Sequence, residues 1–98
     1  MFPLEEKAQQ IGNRTRVEIL SSILEVAGSG ALKTHIMYKA NLSHRQLEKY
    51  LAFLQENGLL RAVVEEETGS RLYQATEKGC DFLRDYLRLS DYLNGKNG

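Results

Sequence analysis

This chain is short of the residues that most chemistry requires. Its 98 residues contain one cysteine, Cys80, so an internal disulfide is excluded and no second thiol is present for a cysteine-based zinc site. Cys80 is expected to be a small buried hydrophobe on the last helix. The two histidines, His35 and His44, fall on different predicted helices. There is no His-x-x-x-His pair, no G-x-S-x-G elbow and no phosphate-binding loop, and Ser21, Ser22 and Ser29 have no partner base in the local sequence. No enzyme, metal or cofactor is therefore expected. No apolar run approaches the ~20 residues of a membrane span, and the acidic start MFPLEEKAQQ lacks the apolar core of a secretory signal. A cytoplasmic protein is expected. Net charge is absent too, with 13 basic and 13 acidic residues, which argues against a general nucleic-acid coat protein.

What is present is a change of charge along the chain. Lys33 to Tyr50 holds Lys33, Lys39, Arg45 and Lys49 against Glu48 alone, a net of +3. Leu51 to Ser70 holds Arg61 against Glu56, Glu65, Glu66 and Glu67, a net of −3. The length suits one domain with a modest core, for which a dimer contact would add stability.

The pattern of apolar and turn residues predicts the elements. Residues 1–13 read as an arm or a short helix over 4–11, with Pro3 near its start and Gly12-Asn13 as its break. Val17, Ile19, Leu20, Ile23, Leu24 and Ala27 recur at helical spacing before Gly28-Ser29-Gly30, giving a helix over 14–27. Ala31-Leu32 fits a short strand. A second helix runs from Lys33 or Thr34 to Ala40, with Thr34 as its cap and Ile36, Met37 and Ala40 facing inward. Asn41, tolerant of left-handed backbone angles, makes the turn with Leu42. Ser43 and Gln46 form an S-x-x-Q capping box for a third helix over 44–56. Its buried stripe is Leu47, Tyr50, Leu51 and Leu54, and Asn57-Gly58 stops it. Residues 59–65 read as a strand anchored by Leu60, Val63 and Val64, 66–70 contain a turn, and 71–75 return through Leu72, Tyr73 and Ala75. Thr76 caps a last helix over 77–93, and 94–98 form a loose tail.

This order specifies a mainly α fold with a small β-hairpin wing (α+β). It is the layout of a winged helix-turn-helix over 14–75 followed by a C-terminal helix over 76–93, and in such domains the second helix of the motif commonly enters the DNA major groove. The polar face of the third helix carries His44, Arg45, Glu48 and Lys49, with Ala52 among them. Arg45 suits guanine O6 and N7 or a phosphate. His44 and Gln46 suit base edges, and Lys49 a phosphate. Ser43 and the free amides of the helix start can also hold a phosphate oxygen. Lys33, His35, Tyr38 and Lys39 on the second helix are placed for the flanking backbone. A charged helix face is also what any solvated surface looks like, so the element order carries more weight than the charges.

Three segments together resemble a known group. They are Ile36 to Ser43 (IMYKANLS); the spaced set Leu47, Tyr50, Leu51, Leu54, Gly58, Leu59 and Leu60; and Tyr73, Thr76-Glu77-Lys78-Gly79, Phe82 and Leu83. They resemble the archaeal winged helix-turn-helix transcription regulators, and are similar to the Sulfolobus 10a type of small coiled-coil DNA-binding proteins. The resemblance covers roughly residues 14–93, and MYKANLS and TEKG are its most specific parts. It implies a homodimer that binds double-stranded DNA, with the third helix in the groove and a terminal helix forming an antiparallel coiled coil. Carried over by position, Ser43, His44, Arg45 and Lys49 face DNA, with Arg71 in the wing. The sequence departs from the pattern at Glu65-Glu66-Glu67, where DNA-binding wings often place cations. Either the wing stands off the duplex and only Ser70 and Arg71 approach it, or this member is a protein-interaction module; three solvated acids on a hairpin edge also discourage aggregation. A non-specific architectural DNA binder is a third reading, disfavoured by the lack of positive charge.

On the last helix Phe82, Tyr86, Leu89 and Leu93 follow spacings of 4, 3 and 4, a short a/d-like seam. Leu83 and Leu87 lie beside it and can pack back on the domain. A dimer through this helix is expected. It would put two recognition helices on one duplex and favour a two-fold symmetric site.

Overall fold

Thr15 sets the start of the first helix. Its hydroxyl accepts a hydrogen bond from the Glu18 amide at 3.1 Å, and its own amide donates to the Glu18 carboxylate at 2.9 Å. This T-x-x-E capping box satisfies two amides that a helix end otherwise leaves open. In a computed structural model, which describes residues 14–94, the chain forms α1 (Arg16–Ala27), β1 (Ala31–Leu32), α2 (Lys33–Lys39), α3 (His44–Glu56), β2 (Leu60–Val64), β3 (Arg71–Ala75) and α4 (Glu77–Leu93). The helix expected over 4–11, its Gly12-Asn13 break and the tail beyond Asn94 lie outside the described residues.

β1 runs directly into α2. Leu32, in extended backbone, therefore occupies the cap position, and α2 has no side-chain cap. Thr34, expected to cap this helix, sits inside its first turn instead. Asn41 takes the left-handed φ of 55° that reverses the chain, while Leu42 points inward and is buried. The Ser43–Gln46 capping box then opens α3, with Ser43 Oγ accepting from the Gln46 amide at 3.1 Å and Gln46 Oε1 accepting from the Ser43 amide at 3.0 Å. At the far end Gly58, at φ 71°, releases the chain into β2.

One cluster joins these pieces. Ile23 and Leu24 of α1, Ile36 of α2, and Leu47 and Leu54 of α3 are its largest fully buried side chains. Tyr50, Met37 and Leu83 pack partly against it. The three strands form an antiparallel sheet in the order β1-β3-β2. Tyr73 on the central strand, opposite Ala31 and Ala62, is buried. Of the expected anchors of β2, Leu60 is buried and Val63 half-buried, but Val64 is 62% exposed; Leu59, just before the strand, is buried as well. Val64 pairs with Arg71 on the last rung before the turn, at the edge of the sheet and away from the cluster.

α4 is sewn to the end of α3. Thr76 Oγ1 accepts from the Gly79 amide at 3.0 Å and donates to the Gly58 carbonyl at 2.6 Å. Lys78 Nζ donates to the Asn57 carbonyl at 2.9 Å, a cation at the negative end of α3. Gly79 lies so close that a Cβ there would collide with the carbonyl oxygen of Leu59. This contact explains a third correction. The residue facing the domain is Gly79, so Cys80, one step around the helix, is exposed rather than buried.

Gly79→Ala is expected to destabilise the fold by ~1–3 kcal/mol through overpacking against backbone. Urea unfolding measures this directly. A midpoint unchanged from wild type would mean the α3–β2 junction can move away from α4.

Candidate nucleic-acid interface

The surface begins with the buried stripe of α3. Leu47, Leu51 and Leu54 face the core, so the opposite side of a 3.6-residue helix must face solvent. The line diametrically outward is Arg45, Lys49, Ala52 and Glu56, all exposed. His44 and Glu48 lie on one flank of this line, and Gln46 and Phe53 on the other. Among the described residues neither Arg45 nor Lys49 has an ion-pair partner. Lys49 Nζ rests 5.7 Å from the centroid of the Tyr50 ring, a cation–π arrangement that leaves the ammonium open to a ligand. A shallow hollow lined by Arg16, Lys49, Tyr50, Ala52, Phe53 and Glu56 runs beside the line and adds the cation of α1's first residue to the same surface.

The other flank is already engaged. Glu48 carboxylate forms an ion pair with Lys33 Nζ at the start of α2. The same oxygen, Oε2, lies 3.4 Å from His44 Nε2, one turn earlier on α3. The hydrogen bond from Lys33 holds the Glu48 carboxyl below the ordinary glutamate range. Slight desolvation opposes this, and the charges of Lys33 and then His44 reinforce it. Two of the expected DNA-facing residues, Lys33 and His44, are thus drawn to the one acid between them.

The remaining expected residues are dispersed. Ser43 Oγ and Gln46 Oε1 are both used in the capping box, although the hydroxyl proton and the Gln46 amino group stay free. His35, Tyr38 and Lys39 are exposed on α2, and Tyr38 is 81% exposed. In the wing, Thr68 Oγ1 donates to Glu65 Oε1 at 3.0 Å, and the Ser70 amide donates to Thr68 Oγ1 at 3.1 Å. The turn thereby presents Glu66 and Glu67 outward, while Ser70 is half-buried and Arg71 exposed.

Several contributors escaped the sequence reading. Arg14 donates to the Asn41 carbonyl at 3.0 Å and so braces the turn between α2 and α3; a contact across 27 residues leaves no local signal. Glu56 and Phe53 were readable from helical phase, since Glu56 falls four residues after Ala52. On α4, Phe82 and Leu83 pack partly against the chain's own core. Tyr86 is half-buried. Leu89 and Leu93 are 56% and 72% exposed, and Tyr92, absent from the expected seam, is 72% exposed. Leu87, 44% exposed, lines a hollow shared with Glu18, Ser21 and Ser22 of α1 rather than joining the core.

The Glu48 pair makes a pH prediction. A depressed carboxyl contributes stability that is present above its ordinary value of 4.5 and is lost as pH falls through the depressed value. Carbon-detected NMR titration should find the Glu48 carboxyl below that value. Lys33→Met should raise it toward the ordinary range; a titration unmoved by this change would show that Lys33 is not the cause.

Comparison with known proteins gives the same architecture. A protein of Methanocaldococcus jannaschii described as uncharacterised is 37% identical over 84 residues, covering 85% of this chain and 80% of its own. The structure superposes on Sso10a-2, described as a DNA-binding protein from Sulfolobus solfataricus, with a TM-score of 0.69 at 24% identity over 86% of this chain and 90% of that one. It also superposes on MepR of S. aureus in complex with DNA, with a TM-score of 0.66 at 13% identity over 91% of this chain and 65% of that one. At these identities the structural likeness is one of fold. The winged helix-turn-helix family matches residues 13–94, which include every helix and strand described above, and the chain belongs to that family.

Proposed function

We propose that this protein binds double-stranded DNA as a small transcription regulator, with α3 in the major groove. The observation that carries this reading is the outward line of α3. Arg45 and Lys49 stand on it exposed and without ion-pair partners among the described residues. Arg45 supplies a fork suited to guanine or phosphate, and Lys49 a phosphate contact one turn on. Ala52 leaves room for a thymine methyl. The described function of Sso10a-2 and the MepR–DNA complex support the reading at the level of fold. Nothing in this surface requires an enzyme: its donors hold and read a polymer rather than converge on a reacting atom.

The same proposal includes a homodimer through α4. Leu89, Tyr92 and Leu93, beside the half-buried Tyr86, give this helix an apolar side that the other described residues leave exposed over its last turns. Phe82 and Leu83 would sit where that side meets the core. A second copy of the helix would cover it.

A second reading is favoured by one feature. Glu65, Glu66 and Glu67 are exposed at the wing, which suits a basic polypeptide better than phosphate.

A salt-series titration of mixed-sequence duplex separates the readings. DNA affinity led by phosphate contacts falls steeply with salt. The pair Arg45→Ala with Lys49→Ala should weaken binding at least about tenfold and flatten the slope of log K against log salt by up to about two. Absence of duplex binding at low salt would leave the protein-interaction reading. Leu89→Glu with Leu93→Glu, both at exposed positions, should yield a monomer in sedimentation equilibrium; an unchanged mass would move the dimer contact off α4.

A further inference from the structure

We propose that Glu48 tempers the protein's sequence-independent hold on DNA by withholding Lys33 from the DNA backbone, a role that rests on the reading of α3 as the DNA-contacting helix. A glutamate in the middle of a recognition helix would ordinarily be assigned either to cytosine, whose N4 amino group it accepts, or to no role. The geometry gives it a different task. Its carboxylate does not stand on the outward line of Arg45, Lys49, Ala52 and Glu56. It lies on the flank toward α2, where it is paired with Lys33 and has His44 Nε2 3.4 Å from the same oxygen. A carboxylate so engaged is a poor acceptor for a base edge.

The consequence follows from how the two parts of DNA affinity arise. Non-specific affinity comes from cations that displace counterions from phosphate, and it grows with each cation delivered. Discrimination comes from base edges and does not. Lys33, at the junction of β1 and α2, is joined to Glu48 on the α2 side of α3. Free, it would add sequence-independent attraction. Paired with Glu48, it adds little. An exposed ion pair is worth little to stability, but the local charge is cancelled however strong the bond is. Glu48 therefore lowers the affinity for every duplex by a similar factor. It acts through Lys33 and is a positioning residue, not a base reader.

The test is a double-mutant cycle on the full chain: wild type, Glu48→Gln, Lys33→Met and the double variant. Each is titrated across a salt series with two probes, a mixed-sequence duplex and a duplex enriched by wild type from a randomised library. Glu48→Gln should bind the mixed duplex about tenfold more tightly at low salt and steepen its salt slope by about one. Affinity for the enriched duplex should rise by a similar factor, because a phosphate contact strengthens binding to all sequences alike. Lys33→Met alone should leave the slope near wild type, since that charge is already cancelled, and the double variant should return the slope to wild type. An unchanged slope in Glu48→Gln overturns the proposal. So does a loss of affinity confined to the enriched duplex, which would make Glu48 a base reader, and so does a double variant that keeps the steep slope. These results all presuppose wild-type binding. If wild type binds neither duplex at low salt, the DNA reading fails and this role fails with it.

Discussion

Burial of three leucines fixes the rotation of one helix, and the rest of the molecule is organised around that fact. Leu47, Leu51 and Leu54 each put a side chain into the common core, and burying a leucine contributes roughly 1.5–3 kcal/mol. Turning α3 by one residue would surrender much of that. The outward line is therefore not free to drift. It is further held at both ends, by the Ser43–Gln46 box at the start and by the Thr76 and Lys78 bonds to Gly58 and Asn57 at the finish. Arg14 braces the turn that precedes it. A surface that reads a rigid polymer needs this kind of scaffold, because its side chains must meet fixed positions.

Charge is then distributed over that scaffold sparingly. The chain is neutral overall, and its basic residues are not massed on one face. Arg45 and Lys49 have no ion-pair partner among the described residues, Lys33 is matched by Glu48, and the wing turn is acidic. Such a surface would bind any duplex weakly and depend on fit at α3. Pairing of two domains through α4 would then supply the affinity that one sparsely charged helix lacks, because a second contact on one duplex acts at high effective concentration.

The fold was largely legible in the sequence, because it is written in local signals. Asn41, Ser43-x-x-Gln46, Asn57-Gly58 and Thr76 each mark a boundary by their own chemistry, and all occur where expected. The errors have local causes too. Thr34 has the chemistry of a cap, but β1 delivers Leu32 straight into α2. Thr15 and Glu18 spell a capping box at the start of α1. Val64 is apolar, but an edge strand beyond the core gives it nothing to pack on. Cys80 has the character of a core residue, but Gly79, whose missing side chain marks the close approach, takes the inward position. The site was less legible. Exposure of Arg45 and Lys49 follows from helical phase, but the ion pair of Lys33 with Glu48 joins residues on separate helices, and the Arg14 bond to Asn41 spans 27 positions. Tertiary pairs of that kind have no periodicity to reveal them.

The central claim is that α3, rather than the wing, is the surface that meets a duplex. It is tested most directly by following the backbone amide signals of the labelled protein while duplex DNA is added. An α3-centred interface requires the largest changes from His44 to Gln55, with smaller ones at the start of α2. Changes concentrated at Glu65 to Gly69, or none in α3 at saturating DNA, would contradict it.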